Sequence, residues 1–442
     1  MLAADASRWT LDLMVPDEAA LQNVAALRAY HRRRAVRAQQ RVAALPTQVG
    51  VIGAGIMGMA VAACHVHHGI PVRLADARPE ALSRALPAIG KMVQGELAAE
   101  NAAGVVSERA VADVRTVSAW RELAECDLIF ETVVELADAK RALYSRIEPY
   151  LRADAILASN TSTLSLAELA ADLQYPQRFC GMHFFNPVVR RPLVEVARGP
   201  QTSEQVLAAV IAHVGRIGKT PLVVAARPGF VVNRLLMPYL NEALELLAAG
   251  ATIAQIDQAA EQFGMPLGPL ALYDLIGIDT SYYAGRSMWE AYRDRITASP
   301  MLRALLRRGR LGCKTQAGFY RYSTKTGQRQ EDPSVAALLE PYVRPRGPFS
   351  PEGIIQRLLL PVVLEAVRLL SETPPCDVWD LDLAIIEGLG FPEQRGGLLY
   401  WADRWGAARL LQILEPFRSL GPRYEPPERL RVMAREGHTF YP

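Results

Sequence analysis

The stretch that most constrains this chain is residues 48–76, which read QVGVIGAGIMGMAVAACHVHHGIPVRLAD. Residues 49–52 have the length and β-branching of a short buried parallel strand. Glycines follow with GxGxxG spacing, at Gly53, Gly55 and Gly58, and helix-forming residues then run to Gly69. A second short strand over 72–75 ends at Asp76. This order predicts the dinucleotide-binding half of an α/β domain.

Each of these positions has a physical task. Gly53 permits the tight turn out of the strand, Gly55 lets the backbone approach a pyrophosphate, and Gly58 lets the helix pack close to the sheet. The helix N-terminus offers free N–H donors to phosphate. Asp76 can accept hydrogen bonds from ribose hydroxyls and would repel a 2′-phosphate, which favours NAD; Arg78 weakens this preference slightly. A lone GxGxxG arises by chance, but the complete order around it favours a nucleotide site.

Length and composition set broad limits. The 442 residues predict two to four domains, and 50% hydrophobic residues are typical of a globular chain. A net charge of +3 does not favour nucleic acid as a partner. No apolar run reaches the length of a membrane-spanning helix, and residues 1–18 lack the apolar core of a secretory leader. The 5 cysteines are scattered without metal or disulfide spacing, so we expect no bound metal and a reducing, cytoplasmic location.

Residues 1–46 precede the first strand and are predicted to form a helical N-terminal arm. The segment 18–44 is rich in alanine and arginine, both good helix formers. Five arginines make it basic, namely Arg32, Arg33, Arg34, Arg37 and Arg41. Such an arm could contact an acidic partner or the body of the protein, but we favour a solvated helix.

Residues 47–226 alternate strands and helices, which predicts a Rossmann-type, doubly wound parallel sheet and an NAD-binding domain. Strands are predicted over 127–130 and 155–158, and the second is followed by the polar residues 159–163. Ligands bind at such carboxyl ends. Two further strand-like pieces carry His183 (179–185) and Glu195 (193–196). If these pieces are neighbours, the carboxylate can reach the imidazole.

Beyond Pro228 the pattern is entirely helical. We predict a first all-α domain over 227–340 and a second over 341–442, which begins with a proline-rich linker at 341–351. Residues 233–247 match 356–370 at a constant offset of 123, so that Arg234 pairs with Arg357 and Glu242 with Glu365. Gln356 replaces Asn233 in the second copy. We therefore expect a tandem repeat of which only the first copy serves the site.

Several polar residues suit hydride transfer from a secondary alcohol. A histidine with a near-neutral pKa can accept the hydroxyl proton, and a carboxylate on its other nitrogen fixes the tautomer. His183 and Glu195 supply this pair, and Ser162 and Asn233 could bond the substrate oxygen. Each residue alone has an ordinary structural explanation, as a core histidine, a helix cap or a surface glutamate. Their joint occurrence favours catalysis.

The stretches GAGIMG, SNTSTL, HFFNPV, LVEV, PGFVVNRLL and KTQAGFY resemble the L-3-hydroxyacyl-CoA dehydrogenase family, from about residue 47 to the C-terminus. The tandem helical part resembles the dehydrogenase part of the multifunctional α subunits of fatty-acid β-oxidation. Those subunits carry an enoyl-CoA hydratase domain in front, for which 46 residues leave no room. The resemblance implies NAD-dependent oxidation of L-(S)-3-hydroxyacyl-CoA to 3-oxoacyl-CoA.

The resemblance also assigns roles by position. It implies that His183 is the catalytic base, that Glu195 orients it, and that Ser162 and Asn233 hold the substrate oxygen. The implied NAD contacts are Gly53, Gly55, Ile56, Met57, Gly58, Asp76, Glu135, Lys140 and Asn160. One region departs from the family: where it has serine and lysine contacts to CoA, this chain has Met92 and Ala99.

Several alternatives stay open. The same chemistry could act on a carrier-protein-bound or specialised hydroxyacyl thioester, or the chain could be a non-catalytic subunit that keeps the fold. A dehydrogenase of the phosphogluconate type needs a helical-domain lysine, and no lysine occurs between Lys219 and Lys314. We expect an acyl-CoA substrate, no nucleic-acid partner, no membrane insertion, a monomer or homodimer, and a possible hydratase or thiolase partner.

Overall fold

A computed structural model describes residues 17–99, 112–345, 347–372 and 376–441. The first part of the predicted arm (1–16), the side chain of Ala99, and positions 346, 373–375 and 442 of the predicted second helical domain lie outside the described residues. Contacts divide the chain into two compact units. The sheet unit comprises residues 26–230, and the helical unit comprises the described residues before 26 and after 230. The predicted boundaries at 46, 226 and 340 stay predictions.

The sheet unit is built on eight strands in the order β3-β2-β1-β4-β5-β6-β7-β8. Strands β1 to β6 are parallel, whereas β7 pairs antiparallel with β6 and parallel with β8. The strands are β1 (Val49–Ile52), β2 (Val72–Ala75), β3 (Val114–Val117), β4 (Leu128–Glu131), β5 (Ile156–Ser159), β6 (Phe179–Phe184), β7 (Leu193–Arg198) and β8 (Thr220–Ala225). The Rossmann-type sheet predicted from the sequence is confirmed, with two reversed strands at one edge.

Helices cover this sheet, and its strands are therefore buried on both faces. All residues of β1, β2, β4 and β5 are buried, as parallel strands require. The helices are α1 (Glu18–Gln39), α2 (Ile56–His67), α3 (Pro79–Ala99), α4 (Ala137–Ile147), α5 (Leu166–Ala170) and α6 (Glu204–Arg216). One core joins β1, β4 and β6 to α2, α3 and α6.

Helix α1 lies partly against the body of the protein. Within the sheet unit, Leu27 and His31 are fully buried, and the His31 ring lies 3.4 Å from the carbonyl of Pro221 on β8. Arg32, Arg33 and Arg37 are exposed. The expectation of a solvated arm is therefore wrong for one face of this helix, because an apolar stripe at helical spacing packs on the domain.

The helical unit begins with the first turns of α1 and continues after residue 230. Its helices are α7 (Val232–Ala248), α8 (Ile253–Phe263), α9 (Pro269–Ile276), α10 (Ile278–Ala291), α11 (Pro300–Arg307), α12 (Pro333–Leu339), α13 (Pro351–Leu369), α14 (Val378–Ala384), α15 (Leu398–Asp403), α16 (Ala407–Leu414) and α17 (Glu428–Glu436). A two-stranded ribbon pairs β9 (Tyr320–Tyr322) with β10 (Arg329–Glu331). The all-helical expectation thus holds apart from this ribbon.

The repeat seen in the sequence appears in the structure as two reciprocal ion pairs, in which each copy supplies the arginine for a glutamate of the other. Arg234 on α7 donates to Glu365 on α13 at 2.9 Å, and Arg357 on α13 donates to Glu242 on α7 at 2.6 Å. All four side chains are buried. Because the partners exchange under the offset of 123, α7 and α13 pack like two copies related by a local two-fold axis.

The loops that carry Gly264 and Gly390 show the same reciprocal contact between the two copies. Gly264 has φ 109°, and a Cβ there would lie 2.9 Å from Pro392. Gly390 has φ 79°, and a Cβ there would lie 2.8 Å from Pro266. Each copy therefore places a left-handed glycine against the proline of the other, which no larger residue could do without displacement.

All five cysteines lie among the described residues, none of them forms a disulfide, and four are buried. Across the described parts of the chain, no helix is both long and apolar enough to cross a bilayer.

Candidate active site

A turn with open backbone connects β1 to α2. Gly53 has φ 106°, and a Cβ there would lie 2.7 Å from Oγ1 of Thr132. A Cβ on Gly58 would lie 1.7 Å from the carbonyl oxygen of Gly53, so only glycine allows this approach. Gly55 caps α2 without a side-chain bond, and no described atom lies within 4 Å of its Cβ position. The space around the Cβ position of Gly55, at the N-terminal end of α2, is thus open.

Asp76 follows β2 and closes the same turn. One of its oxygens accepts from the backbone N–H of Ala54 at 2.8 Å, and the other accepts from the N–H of Arg78 at 2.8 Å. The Arg78 guanidinium is 70% exposed and lies 3.5 Å from this carboxylate. The oxygen that bonds Ala54 keeps a lone pair for a further donor. The glycine turn and the acid are therefore placed as a bound dinucleotide requires.

Exposed apolar side chains flank this turn. Ile56 is 66% exposed at the start of α2, and Val134 and Leu136 are each 63% exposed just after β4, the strand beside β1. Such side chains on neighbouring strand ends suit the faces of an aromatic or nicotinamide ring. The residues present therefore fit the nucleotide predicted from the sequence.

Glu131 at the end of β4 is a buried carboxylate that sequence reasoning missed. It is fully buried and lies 2.6 Å from Nζ of Lys140. Its oxygens also accept from the Val133 N–H, the Tyr144 hydroxyl and the Ser159 hydroxyl, each at 2.7 Å. Lys140, predicted to contact the cofactor, is therefore held first by Glu131, and its ammonium has only 1% exposure.

Glu135 joins the ends of β4 and β5. One oxygen accepts from the Thr161 hydroxyl at 2.6 Å and the Ser162 N–H at 2.9 Å, and the other lies 3.4 Å from Lys140. Burial alone would raise the pKa of Glu135, but the Lys140 charge and these hydrogen bonds outweigh it and lower the pKa. The glutamate fixes the backbone of Ser162, whose hydroxyl has no hydrogen-bond partner among the described residues.

The predicted histidine and glutamate meet on adjacent strands. His183 on β6 lies directly opposite Glu195 on β7, and Nδ1 is 2.8 Å from a carboxylate oxygen. Glu195 is fully buried and His183 is 8% exposed. Phe185 packs 4.5 Å from the imidazole, measured between ring centroids. This bond leaves Nε2 as the nitrogen for an outside group.

Two further residues fix the backbone around the His183–Glu195 pair. Asn160, a predicted cofactor contact, accepts from the Phe184 N–H at 3.0 Å and so ties the end of β5 to β6. Lys219 donates to the Val188 carbonyl at 2.7 Å and fixes the loop between β6 and β7. Apart from the scarcity of lysine, no pattern in the sequence pointed to Lys219.

Asn233 lies in the helical unit, in the first turn of α7. It is half-buried, and its side-chain amide has no hydrogen-bond partner in the described part of the chain.

Met57, a predicted cofactor contact, is half-buried in the first turn of α2.

Comparison with known families decides the class. Residues 48–227 match the NAD-binding domain of 3-hydroxyacyl-CoA dehydrogenase, and residues 229–322 match its C-terminal domain. The chain belongs to the 3-hydroxyacyl-CoA dehydrogenase family. It is accordingly an NAD-dependent dehydrogenase, as predicted from the sequence.

Solved structures of 3-hydroxyacyl-CoA dehydrogenases agree with this family. A 3-hydroxybutyryl-CoA dehydrogenase from Escherichia coli is 26% identical over 89% of this chain and 99% of its own, with a TM-score of 0.78. An (S)-3-hydroxybutyryl-CoA dehydrogenase from Ralstonia eutropha is 34% identical over 63% of this chain and 100% of its own, with a TM-score of 0.59. The dehydrogenase part of multifunctional enzyme 1 from C. elegans is 27% identical over 88% and 90%, with a TM-score of 0.63.

Proposed function

We propose that this 3-hydroxyacyl-CoA dehydrogenase oxidises the hydroxyl of an L-(S)-3-hydroxyacyl-CoA to the 3-oxo group, as in fatty-acid β-oxidation. The observation that supports this most directly is the 2.8 Å bond between His183 and Glu195. NAD, when bound, accepts the hydride. The residues of the chain must then hold the substrate and move the hydroxyl proton.

His183 would accept that proton at Nε2, because its Nδ1–H is given to Glu195. Glu195 would orient the ring and stabilise the imidazolium by its negative charge. Its complete burial strengthens this interaction, since water does not screen it. The two residues then work as one unit.

Ser162 and Asn233 would hold the reacting oxygen and stabilise alkoxide character. Two observations support this. The side chains of Ser162 and Asn233 have no hydrogen-bond partner among the described residues, and Glu135 fixes the Ser162 backbone. Gly53, Gly55, Ile56, Met57, Gly58 and Asp76 would bind NAD directly. Glu135, Lys140 and Asn160 are each bonded to neighbouring residues, which favours a role in shaping the site.

The test is reduction of acetoacetyl-CoA by NADH with purified His183→Gln. Loss of the base is expected to lower kcat by about 10²- to 10⁴-fold. NADH binding, followed by fluorescence titration, is expected to stay at the wild-type level, because the nucleotide turn is unchanged. Wild-type turnover by this variant would refute the role of His183.

The same assay separates the alternatives. Turnover on a 3-oxoacyl carrier-protein thioester but not on CoA would transfer the proposal to a carrier-bound substrate. NADH binding without turnover on either thioester would favour a non-catalytic subunit. The preferred chain length, a cytoplasmic location, the oligomeric state, and a hydratase or thiolase partner stay predictions.

A further inference from the structure

The contact between α7 and α13 holds a cluster of charges that the dehydrogenase reaction does not use. In the described residues, five arginines and four glutamates form its ion pairs. The arginines are Arg234, Arg295, Arg357, Arg368 and Arg423, and the glutamates are Glu242, Glu245, Glu365 and Glu372. Among these nine described side chains, one positive charge is in excess. Asp294, 3.6 Å from Arg295, is 73% exposed and therefore largely screened by water.

A comparison of the two copies of the repeat shows where this excess charge lies. On the α7 side, the described ion pairs join Glu242 and Glu245 to two arginines, Arg357 and Arg423, so these four charges balance. At the offset of 123, the counterpart of Glu245 is Arg368. On the α13 side, an arginine thus stands where the repeat has a glutamate.

Three guanidinium groups consequently converge on one carboxylate. Glu365 lies 2.9 Å from Nε of Arg234, 3.2 Å from Arg295 and 3.4 Å from Arg368. Glu372 gives Arg234 a second partner at 2.7 Å. Burial and repulsion by Arg295 lower the pKa of Arg368, although the Glu365 charge opposes this. A buried charge without full compensation is costly, so the arrangement favours an added negative charge.

A cavity lies where that charge would be needed. Its lining includes Arg234, Arg295, Arg368, Arg423 and Glu365. Its volume of about 20 Å³ is room for about one water-sized species. The side chains of Arg295 and Arg368 are each 18% exposed, which leaves small solutes a way in.

We propose that this cavity binds one small monovalent inorganic anion, of the size of chloride, between the guanidinium groups of Arg234, Arg295 and Arg368. Guanidinium N–H groups are strong donors to anions. The bound anion neutralises the excess charge and joins α7, α10 with its following turn, and α13. Phosphate and acyl-CoA are too large for the cavity.

The test compares thermal unfolding of the full-length protein in sodium chloride and sodium gluconate at equal ionic strength. Chloride is expected to raise the melting temperature by about 2 °C in a saturable manner, because it binds only the folded state. Arg368→Gln, which balances the cluster, and Arg368→Glu, which restores the residue of the first copy, are both expected to lose this response. Arg303→Glu is the control, since Arg303 is exposed on α11.

A direct readout protects the test from variants that fail to fold. Wild-type crystals soaked in sodium bromide are expected to show an anomalous peak in the cavity. Water alone at that position would overturn the proposal. It would also fail if Arg368→Gln kept the chloride response, or if bromide bound while the melting temperature ignored chloride, which would mean binding at crystal concentration only.

Discussion

At the scale of single residues, Lys140 shows how burial changes the interpretation of a residue assigned by resemblance. The resemblance assigned it to the cofactor, yet its ammonium lies 2.6 Å from a fully buried Glu131. Glu131 and Glu135 both precede it within reach, and sequence spacing alone cannot decide between them. In the structure, Glu131 at the end of β4 is buried and Glu135 is half-exposed, so Glu131 is the main partner of Lys140.

Glu131→Gln is expected to destabilise the protein by about 3 kcal/mol, because it removes the nearer carboxylate from the buried Lys140 charge and leaves only Glu135, 3.4 Å away. Thermal unfolding measures the loss. Glu135→Gln serves as the matched control and is expected to cost less, since the Glu135 side chain is 38% exposed. Equal stability of the Glu131 variant and wild type would contradict a structural ion pair.

Asp76→Asn is expected to raise the KM for NAD by about 10- to 100-fold with little change in kcat. The reason is that a neutral amide bonds ribose hydroxyls more weakly than a carboxylate does. Steady-state kinetics with NAD and NADP measure the change, and activity with NADP is expected to fall less. Arg78→Ala, which removes the exposed neighbour, is the control. An unchanged KM would exclude Asp76 from nucleotide binding.

At the scale of elements, α2 and α6 meet through a buried histidine pair. His65 and His213 are fully buried, with their Nε2 atoms 3.0 Å apart. His65 also bonds the Val61 carbonyl at 2.7 Å. Burial lowers the pKa of His65 to about 4 and holds the pKa of His213 well below its usual value. Both rings are therefore neutral in the folded protein.

This pair predicts loss of stability in mild acid. Between pH 6.5 and about 4 the unfolded chain binds protons that the folded chain does not, so the free energy of unfolding falls as pH is lowered, by roughly 3 kcal/mol for His65. Melting temperatures from pH 7 to 4.5 measure the slope. The double variant His65→Gln/His213→Gln is expected to flatten it. Exposed His438→Gln is the control and is expected to leave it unchanged.

The strands beside the glycine turn were the most predictable elements. The predicted bounds of β1 and β2 agree with the structure because both strands are short, apolar and followed by clear turn residues. Strand β3 was missed because it is an edge strand with only its end residues buried, and its residues include Arg115. Strand β8 was missed because its second residue is a proline, which precedes a short apolar run. The pairing of β6 with β7, on which the His183–Glu195 bond depends, was stated only as a condition.

At the scale of the whole molecule, the repeat extends further than the sequence indicated. Asp257 accepts from two backbone N–H groups on α9 and from the Tyr320 hydroxyl at 2.9 Å. Asp382 accepts from two N–H groups on α15 and from the Tyr441 hydroxyl at 2.7 Å. The sequence match paired residues 263–266 with 389–392 and Asp274 with Asp403, but it did not include Asp257, Asp382 or the two tyrosines.

Tyr320→Phe and Tyr441→Phe are expected to destabilise the protein by similar amounts, about 1–2 kcal/mol each, because each removes one hydrogen bond to a buried carboxylate. Thermal unfolding of the two variants side by side measures this. Tyr283→Phe is the control, as that side chain is 57% exposed. A loss confined to Tyr320→Phe would show that the second copy does not depend on its tyrosine.

The exchange of Arg234–Glu365 for Arg357–Glu242 has a consequence for how the molecule behaves on dilution. Two separate copies held by such pairs would dissociate as their concentration fell, whereas a tether makes the association intramolecular and sets a fixed effective concentration. Identical copies must also carry every substitution twice. A tethered pair is free of this constraint, so Glu245 and Arg368 can differ in sign, and one half can change its chemistry while the other keeps the packing.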